Sequence, residues 1–184
     1  MRLQPNASAL SGFLLATGLF APAALLPILK TADVESFPVR GVAVEKEVRV
    51  PVPPAEAFEA FTGDVSGWWD HRFSAEPARF EIEPRPGGAF RELFDGTGTA
   101  GVIHAEVTWC QPGERLVFRG PLGFHGQAVD MVHSFQFEAD GDGTVVRASI
   151  RGLGEFDDEG AAAVDAVWDH FLGKFAAYVE RAGQ

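Results

Sequence analysis

The sequence predicts an α+β fold in which a curved antiparallel sheet wraps around one long C-terminal helix, with two short helices after the first strand. Three observations carry this expectation. Residues 42–50 set Val44, Val48 and Val50 against Glu45, Glu47 and Arg49, the alternation of a half-buried strand. Six further strand-like runs follow at close spacing, separated by turn-forming residues. The chain then closes on an amphipathic segment at 157–181. A sheet covers such a helix only by bending around it, and this arrangement leaves room for a pocket between the two layers.

The elements are expected as follows. Pro51, Pro53 and Pro54 end the first strand, and Pro54 suits the first turn of a helix, where its missing N–H costs nothing. Ala57, Phe58 and Phe61 then recur at helical spacing, and a second short helix or turn carries Val65, Trp68 and Trp69. Strands are expected at 79–83, 89–94, 100–109, 115–119, 128–138 and 144–151. Pro84-Arg85-Pro86-Gly87-Gly88, Asp95-Gly96-Thr97-Gly98, Gln111-Pro112-Gly113 and Asp140-Gly141-Asp142-Gly143 separate them, with glycines that allow the positive φ of tight turns. Strands this closely spaced favour an antiparallel meander.

The last helix begins at Glu155, Asp157, Asp158 and Glu159, acidic groups that cap free N–H groups and complement the helix dipole. Val164, Trp168, Phe171, Phe175 and Val179 line one face, widened by Val167 and Leu172. At ~1.5 Å per residue this helix is roughly 36 Å long, enough to cross a whole small sheet.

Composition bounds the function. With 184 residues, 46% of them hydrophobic, the chain suffices for one well-packed core. Fifteen basic against 26 acidic residues give a formal charge of -11, which repels phosphate backbones, so nucleic acid is not an expected partner. The single cysteine, Cys110, forms no internal disulfide and lacks activating neighbours, so it reads as a packed thiol.

The N-terminus stands apart. Residues 7–29 carry no charge, Arg2 precedes them, and Leu10, Phe13, Leu14, Leu15, Leu19 and Phe20 lead into Ala21-Pro22-Ala23. This resembles a secretory signal peptide with a small-residue cleavage site. A retained membrane anchor is the alternative, since about 20 apolar residues span a bilayer; a cytoplasmic location is the third possibility. Residues 1–29 are thus assigned to a signal peptide or anchor, 30–41 to a linker and 42–184 to the folded domain.

Several short motifs occur in a set order: Val48-Arg49-Val50 with Pro53-Pro54-Ala55-Glu56-Ala57-Phe58, then Trp68-Trp69, then Arg85-Pro86-Gly87-Gly88-Ala89-Phe90. Glu106-Val107, Glu114-Arg115-Leu116-Val117-Phe118 and Gly143-Thr144 complete the set. Over roughly residues 42–182 this order resembles the START-like, SRPBCC superfamily, in the branch of the Hsp90 ATPase activator homologues. The resemblance implies a helix-grip fold whose cavity, between sheet and C-terminal helix, holds apolar molecules in some members and performs cyclase or hydratase chemistry in others. A secretion-type leader departs from the chaperone-linked branch, whose partner is cytosolic.

No compact catalytic or metal motif is present. His71, His104, His125, His133 and His170 show no HExxH spacing, and no Gly-x-Ser-x-Gly or Walker pattern occurs, so neither a metal nor a cofactor is expected. Strand parity groups Phe90, Glu92 and Phe94 on one strand and Met131, His133, Phe135 and Phe137 on another. A carboxylate and an imidazole facing inward are costly unless paired, which makes Glu92 and His133 the candidates for acid–base chemistry. His104 and Glu106 fall opposite Ile103, Ala105, Val107 and Trp109 and are expected in solvent. The expected cavity set is Trp68, Trp69, Phe90, Glu92, Phe124, Met131, His133, Phe135, Trp168 and Phe171, with the glycine-flanked loop from Gly120 to Gly126 as a gate. The leading functional expectation is a module that binds a small apolar molecule, exported or tethered through residues 7–29. The alternatives are a cavity enzyme of the cyclase, dehydratase or hydrolase class and an interaction module of the chaperone-activator kind.

Overall fold

The computed structural model describes residues 36–183. The leader assigned to residues 1–29 and the first part of the 30–41 linker lie outside them. Ten elements follow in the order β1 (Arg40–Val50), α1 (Pro54–Phe61), β2 (Gly63–Asp64), β3 (Arg79–Ile82), β4 (Ala89–Leu93), β5 (Gly101–Gln111), β6 (Arg115–Arg119), β7 (Val129–Asp140), β8 (Gly143–Gly154) and α2 (Asp158–Ala182). The strands form one eight-stranded antiparallel sheet in the order β1-β8-β7-β6-β5-β4-β3-β2. Strands β3 to β8 thus form the expected meander, and β1 closes the far edge by pairing with β8 along its whole length. The α+β helix-grip architecture is as expected.

Of the two short helices expected after β1, only α1 forms. Thr62, in extended conformation, ends it and its hydroxyl donates to Phe58 O at 2.9 Å. Gly63 then takes φ +71, which starts the two-residue strand β2 instead of another helix. Val65 O accepts from both Trp68 N and Trp69 N, so the tryptophan pair sits on a turn. The first helix packs through Ala57, Phe58 and Phe61. Phe61 is a hub, with ring centroids 4.8 Å from Phe135, 4.9 Å from Trp68 and 5.0 Å from Phe175.

The Pro-Gly-Gly turn before β4 shows why glycine occupies two successive positions. Gly87 has φ +74, and a Cβ on Gly88 would stand 2.3 Å from Glu83 O. The turn carries the chain directly from β3 into β4.

Helix α2 begins at Asp157, whose carboxylate accepts from Gly160 N at 2.7 Å. It buries Val164, Trp168, Phe171, Leu172, Phe175 and Val179, all from the stripe read in the sequence. On its flank, Asp165 and Asp169 each meet Lys46 of β1 at 2.8 Å. These hydrogen bonds hold the Lys46 ammonium above its ordinary pKa. The outer face of the sheet is latticed by cross-strand ion pairs, including Arg147 to Glu47 and Glu138 and Arg49 to Asp140.

Parity fails on β5. The β4–β5 register shifts between Phe90 and Arg91, leaving His104 as an extra residue, and the β5–β6 register shifts again between Val107 and Trp109. These two bulges bury His104 beside Ala105 and turn Ile103 and Trp109 outward, 62% and 50% exposed, whereas Glu106 is exposed as expected. His104 is therefore a core residue and not the solvated one expected. Phe94, grouped inward with Phe90 and Glu92, lies beyond the end of β4 and is 37% exposed. Cys110 is half-buried, donates to Pro84 O, and has its thiol pKa raised by burial.

Replacing Phe61 by Ala should lower unfolding stability by about 3–5 kcal/mol, because the aromatic hub cannot collapse onto the vacancy. Replacing Gly173 by Ala, where nothing lies within 4 Å of the added Cβ on α2, should raise it by roughly 0.5–1 kcal/mol through helix propensity. Urea denaturation of the two variants measures both.

Candidate functional site

The core is packed at one end of α2 and hollow at the other. A cavity of about 190 Å³ lies under the N-terminal half of the helix. Ala163, Val164, Val167, Trp168 and Phe171 of α2 form one wall. Leu122, Gly123 and Phe124 of the β6–β7 loop form another, Met131 faces in from β7, and Trp69 and His71 complete the enclosure. Ala163 and Gly123 are solvent-exposed and mark the mouth.

Side-chain size along α2 explains the hollow. The first turns over the cavity carry small side chains, Gly160, Ala163, Val164 and Val167, ahead of the aromatic run Trp168, Phe171 and Phe175. Trp69 stacks on Phe171 with centroids 3.8 Å apart and planes 15° from parallel, which closes the cavity against the filled aromatic half. Phe124 packs edge-on against Phe156 at 5.3 Å.

Leu122 adopts φ +48, a left-handed conformation that costs a non-glycine residue about 1 kcal/mol or more. Its backbone is bolted to the β5 bulge: Leu122 N donates to His104 O at 3.1 Å, and His104 Nδ1 lies 3.5 Å from Leu122 O. The strained turn directs the Leu122 side chain inward, where it is 6% exposed.

His71 is the one titratable side chain of the lining. Its Nε2 is shielded from solvent and has no hydrogen-bond partner. Burial pushes its imidazole below the ordinary value against the pull of Glu92 and Asp70, so the ring is neutral near pH 7. The neighbouring Asp70 accepts from Lys174 at 2.7 Å and from His170 at 2.9 Å, pinning this segment to α2. Partial burial works against the Asp70 charge, but these two partners hold its carboxyl below the usual range.

Five of the expected cavity residues line the hollow: Trp69, Phe124, Met131, Trp168 and Phe171. Trp68 lies instead in the Phe61–Phe175 cluster, Phe135 packs between Phe61 and Trp168, and Phe90 meets Trp69 at 4.6 Å. Glu92 is fully buried away from the lining, with both carboxylate oxygens accepting at 2.8 Å, from Phe73 N and Ser74 N. Its nearest imidazole is that of His104, 3.7 Å away, and not His133. His133 is fully buried between Phe118 and Trp168, both ring nitrogens unpartnered, and desolvation lowers its pKa to about 3. Neither candidate for acid–base chemistry borders the cavity.

The lining also includes residues outside the expected cavity set: Leu122 and Gly123 from the loop expected as a gate, Ala163, Val164 and Val167 from α2, and His71, which the family resemblance places near the cavity mouth. The small residues of α2 signal the hollow by what they fail to fill, a pattern visible in the chain once the helix face is known. Three histidines, His71, His104 and His125, converge with ring centroids 5.8 and 6.2 Å from that of His104, yet among the described residues no group of three or more His, Cys, Asp or Glu side chains is arranged to hold a metal ion.

A bent antiparallel sheet, a long helix gripped across it and a hollow beneath the helix define a helix-grip domain with an interior cavity. Residues 51–180 match the family model described as activator of Hsp90 ATPase homolog 1-like protein, so the chain belongs to that family, within the SRPBCC superfamily. Among solved structures, a Staphylococcus aureus protein is similar at TM-score 0.58 and 16% identity, covering 79% of this chain and 98% of its own. A Mesorhizobium loti protein gives 0.53 and 19%, covering 77% and 98% respectively. CalU16 from Micromonospora echinospora gives 0.52 and 16%, covering 79% and 84%. At these identities the likeness is one of fold. No curated protein matches the chain at a significant level.

Burial of His133 and His104 has a pH consequence. Their folded pKa values, about 3 and about 4, lie below the ordinary 6.5, so the unfolded chain binds more protons in acid. Their contribution is intact above pH 6.5 and is lost as pH falls toward 4, at roughly 1 kcal/mol per pH unit for each ring. His133→Leu should therefore gain stability relative to the parent chain on going from about pH 8 to about pH 5, measured by urea denaturation at both pH values. An unchanged difference between the two chains would refute the linkage.

Proposed function

We propose that this domain binds a small apolar molecule in the cavity beneath the N-terminal half of α2. The observation that carries the reading is the hollow itself: about 190 Å³ walled by aromatic and aliphatic side chains that belong to the buried core. Wall atoms facing empty space forgo dispersion contacts, and an apolar occupant restores them. The volume favours a compact guest: a dry cavity of roughly 150 Å³ accepts benzene, and drug-sized ligands occupy about 300–1,000 Å³. Family membership supports the same reading through the fold. Binding is favoured over turnover because Glu92 and His133 stand behind the wall, and Glu92 is committed to backbone N–H groups.

The uncharged stretch of residues 7–29 supports export or membrane tethering of the domain. The acidic balance of 26 against 15 argues against an anionic guest and against nucleic acid. Among the described residues no helix is long and apolar enough to cross a membrane.

Equilibrium dialysis of the full chain against naphthalene tests the cavity. Saturable uptake is expected, and Val167→Trp, which fills the space from the helix side, should weaken it about tenfold or more while keeping the denaturation midpoint. Absence of saturable uptake by the parent chain, or equal uptake by the filled variant, would overturn the assignment. Mass analysis of the mature chain should place its N-terminus at Ala24 if the leader is removed on export. An intact leader on a soluble cytoplasmic chain would overturn that part.

A further inference from the structure

Glu92 is a fully buried carboxylate without a counter-charge, and what it holds in place of one is a piece of the cavity wall. Its one ion-pair partner among the described residues is His104, whose Nε2 stands 3.7 Å away. Desolvation lowers the His104 pKa to about 4, so that ring is neutral near pH 7. The donors that satisfy Glu92 are backbone groups, Phe73 N and Ser74 N, each at 2.8 Å. A carboxylate is tolerated in the core only while such donors stay against it.

Both donors lie in the irregular segment between β2 and β3. Among the described residues no backbone–backbone hydrogen bond involves residues 70–77; the nearest are Trp69 N to Val65 O and Ala78 N to Leu93 O. Asp70 ties the start of the segment to α2 through His170 and Lys174, and Glu92 of β4 ties it again at Phe73 and Ser74. His71 is thus suspended between two anchored points. The Phe73 ring is 46% exposed, so apolar burial alone gives it little reason to stay where it is. It nevertheless meets His71 edge-on at 5.4 Å and stacks on His104 at 5.7 Å. His71 in turn lines the hollow and lies so close to Gly123 that a Cβ added there would stand 3.1 Å from its imidazole.

We infer that Glu92 is the positioning residue of this wall: by holding Phe73 N and Ser74 N it seats the Phe73 ring against His71 and keeps the cavity closed on that side, without touching the guest. This rests on the cavity's being a binding site, as proposed above, and adds what retains its occupant. Lifting the segment strands the carboxylate in the core with no donor, so one position of the wall is strongly favoured over any open one.

Two measurements on the full chain near pH 7 test the assignment: amide hydrogen exchange, and the rate at which bound naphthalene dissociates after dilution. In the parent chain the amides at positions 73 and 74 should exchange slowly although their segment carries no backbone ladder. Glu92→Gln, which replaces one acceptor oxygen by a donor, should speed their exchange about tenfold or more while the amides of β7 and β8 keep their protection, and should speed naphthalene dissociation by about tenfold. Phe73→Ala, which leaves Glu92 and both N–H groups in place, should speed dissociation likewise with exchange at positions 73 and 74 still slow, and it decides the matter if Glu92→Gln does not fold. Slow exchange surviving Glu92→Gln, or naphthalene dissociation unchanged in either variant, overturns the positioning role and leaves the cavity reading standing. Failure of the parent chain to take up naphthalene overturns both.

Discussion

The contact of Trp69 with Phe171 divides this protein into two regimes. On one side of it Phe61, Trp68, Phe135 and Phe175 interlock at centroid distances near 5 Å and supply the packing that holds α1 and α2 against the sheet. On the other side the facing residues of α2 shrink to Val167, Val164, Ala163 and Gly160, and the two layers separate. The helix remains a rigid rod across both regions because its caps, Asp157 on Gly160 N and the Gly183 turn on Val179 O, secure its ends. Rigidity spanning an underfilled region makes a cavity; a flexible element there would sag into the space.

Much of this was legible in the chain before any coordinates. The boundaries of β3, β4 and β6 to β8 and the buried stripe of α2 follow from periodicities of 2.0 and 3.6 residues acting on a one-sided core. The bend of the sheet and the burial of Glu92 and His133 followed from the same logic, whereas the pairing of β1 with β8 joins the two ends of the domain and has no local signal in the sequence. Such periodicity breaks at bulges, however, and β5 carries two. A bulge is set by the competition between neighbouring strands for register and leaves no residue-type signature at His104 or Thr108. That is why the residue expected in solvent became the anchor of the cavity loop.

The candidate site was legible in part for a related reason. Large aromatic residues announce themselves, so Trp69, Phe124, Trp168 and Phe171 were identifiable as wall material. Parity cannot separate residues that line a hollow from those that fill a core, since both face inward. Trp68, Phe90 and Phe135 share the inward side with Met131, and only the position of the Trp69–Phe171 stack sorts them. His71 sits in an irregular segment where no period applies, and its inward aim comes from the Asp70 ion pairs beside it and the Trp69 indole bond to its own carbonyl.

The tapering series on α2 also separates two duties that globular cores usually merge. Cohesion is concentrated in the C-terminal turns, whereas capacity is set by a few small side chains near the N-terminus that touch little else. Lineages sharing this scaffold can therefore enlarge, shrink or reshape the chamber by editing three or four codons on a single helical face, with the sheet and its aromatic keystone left alone. Diversification of guests across such a family needs no change of architecture.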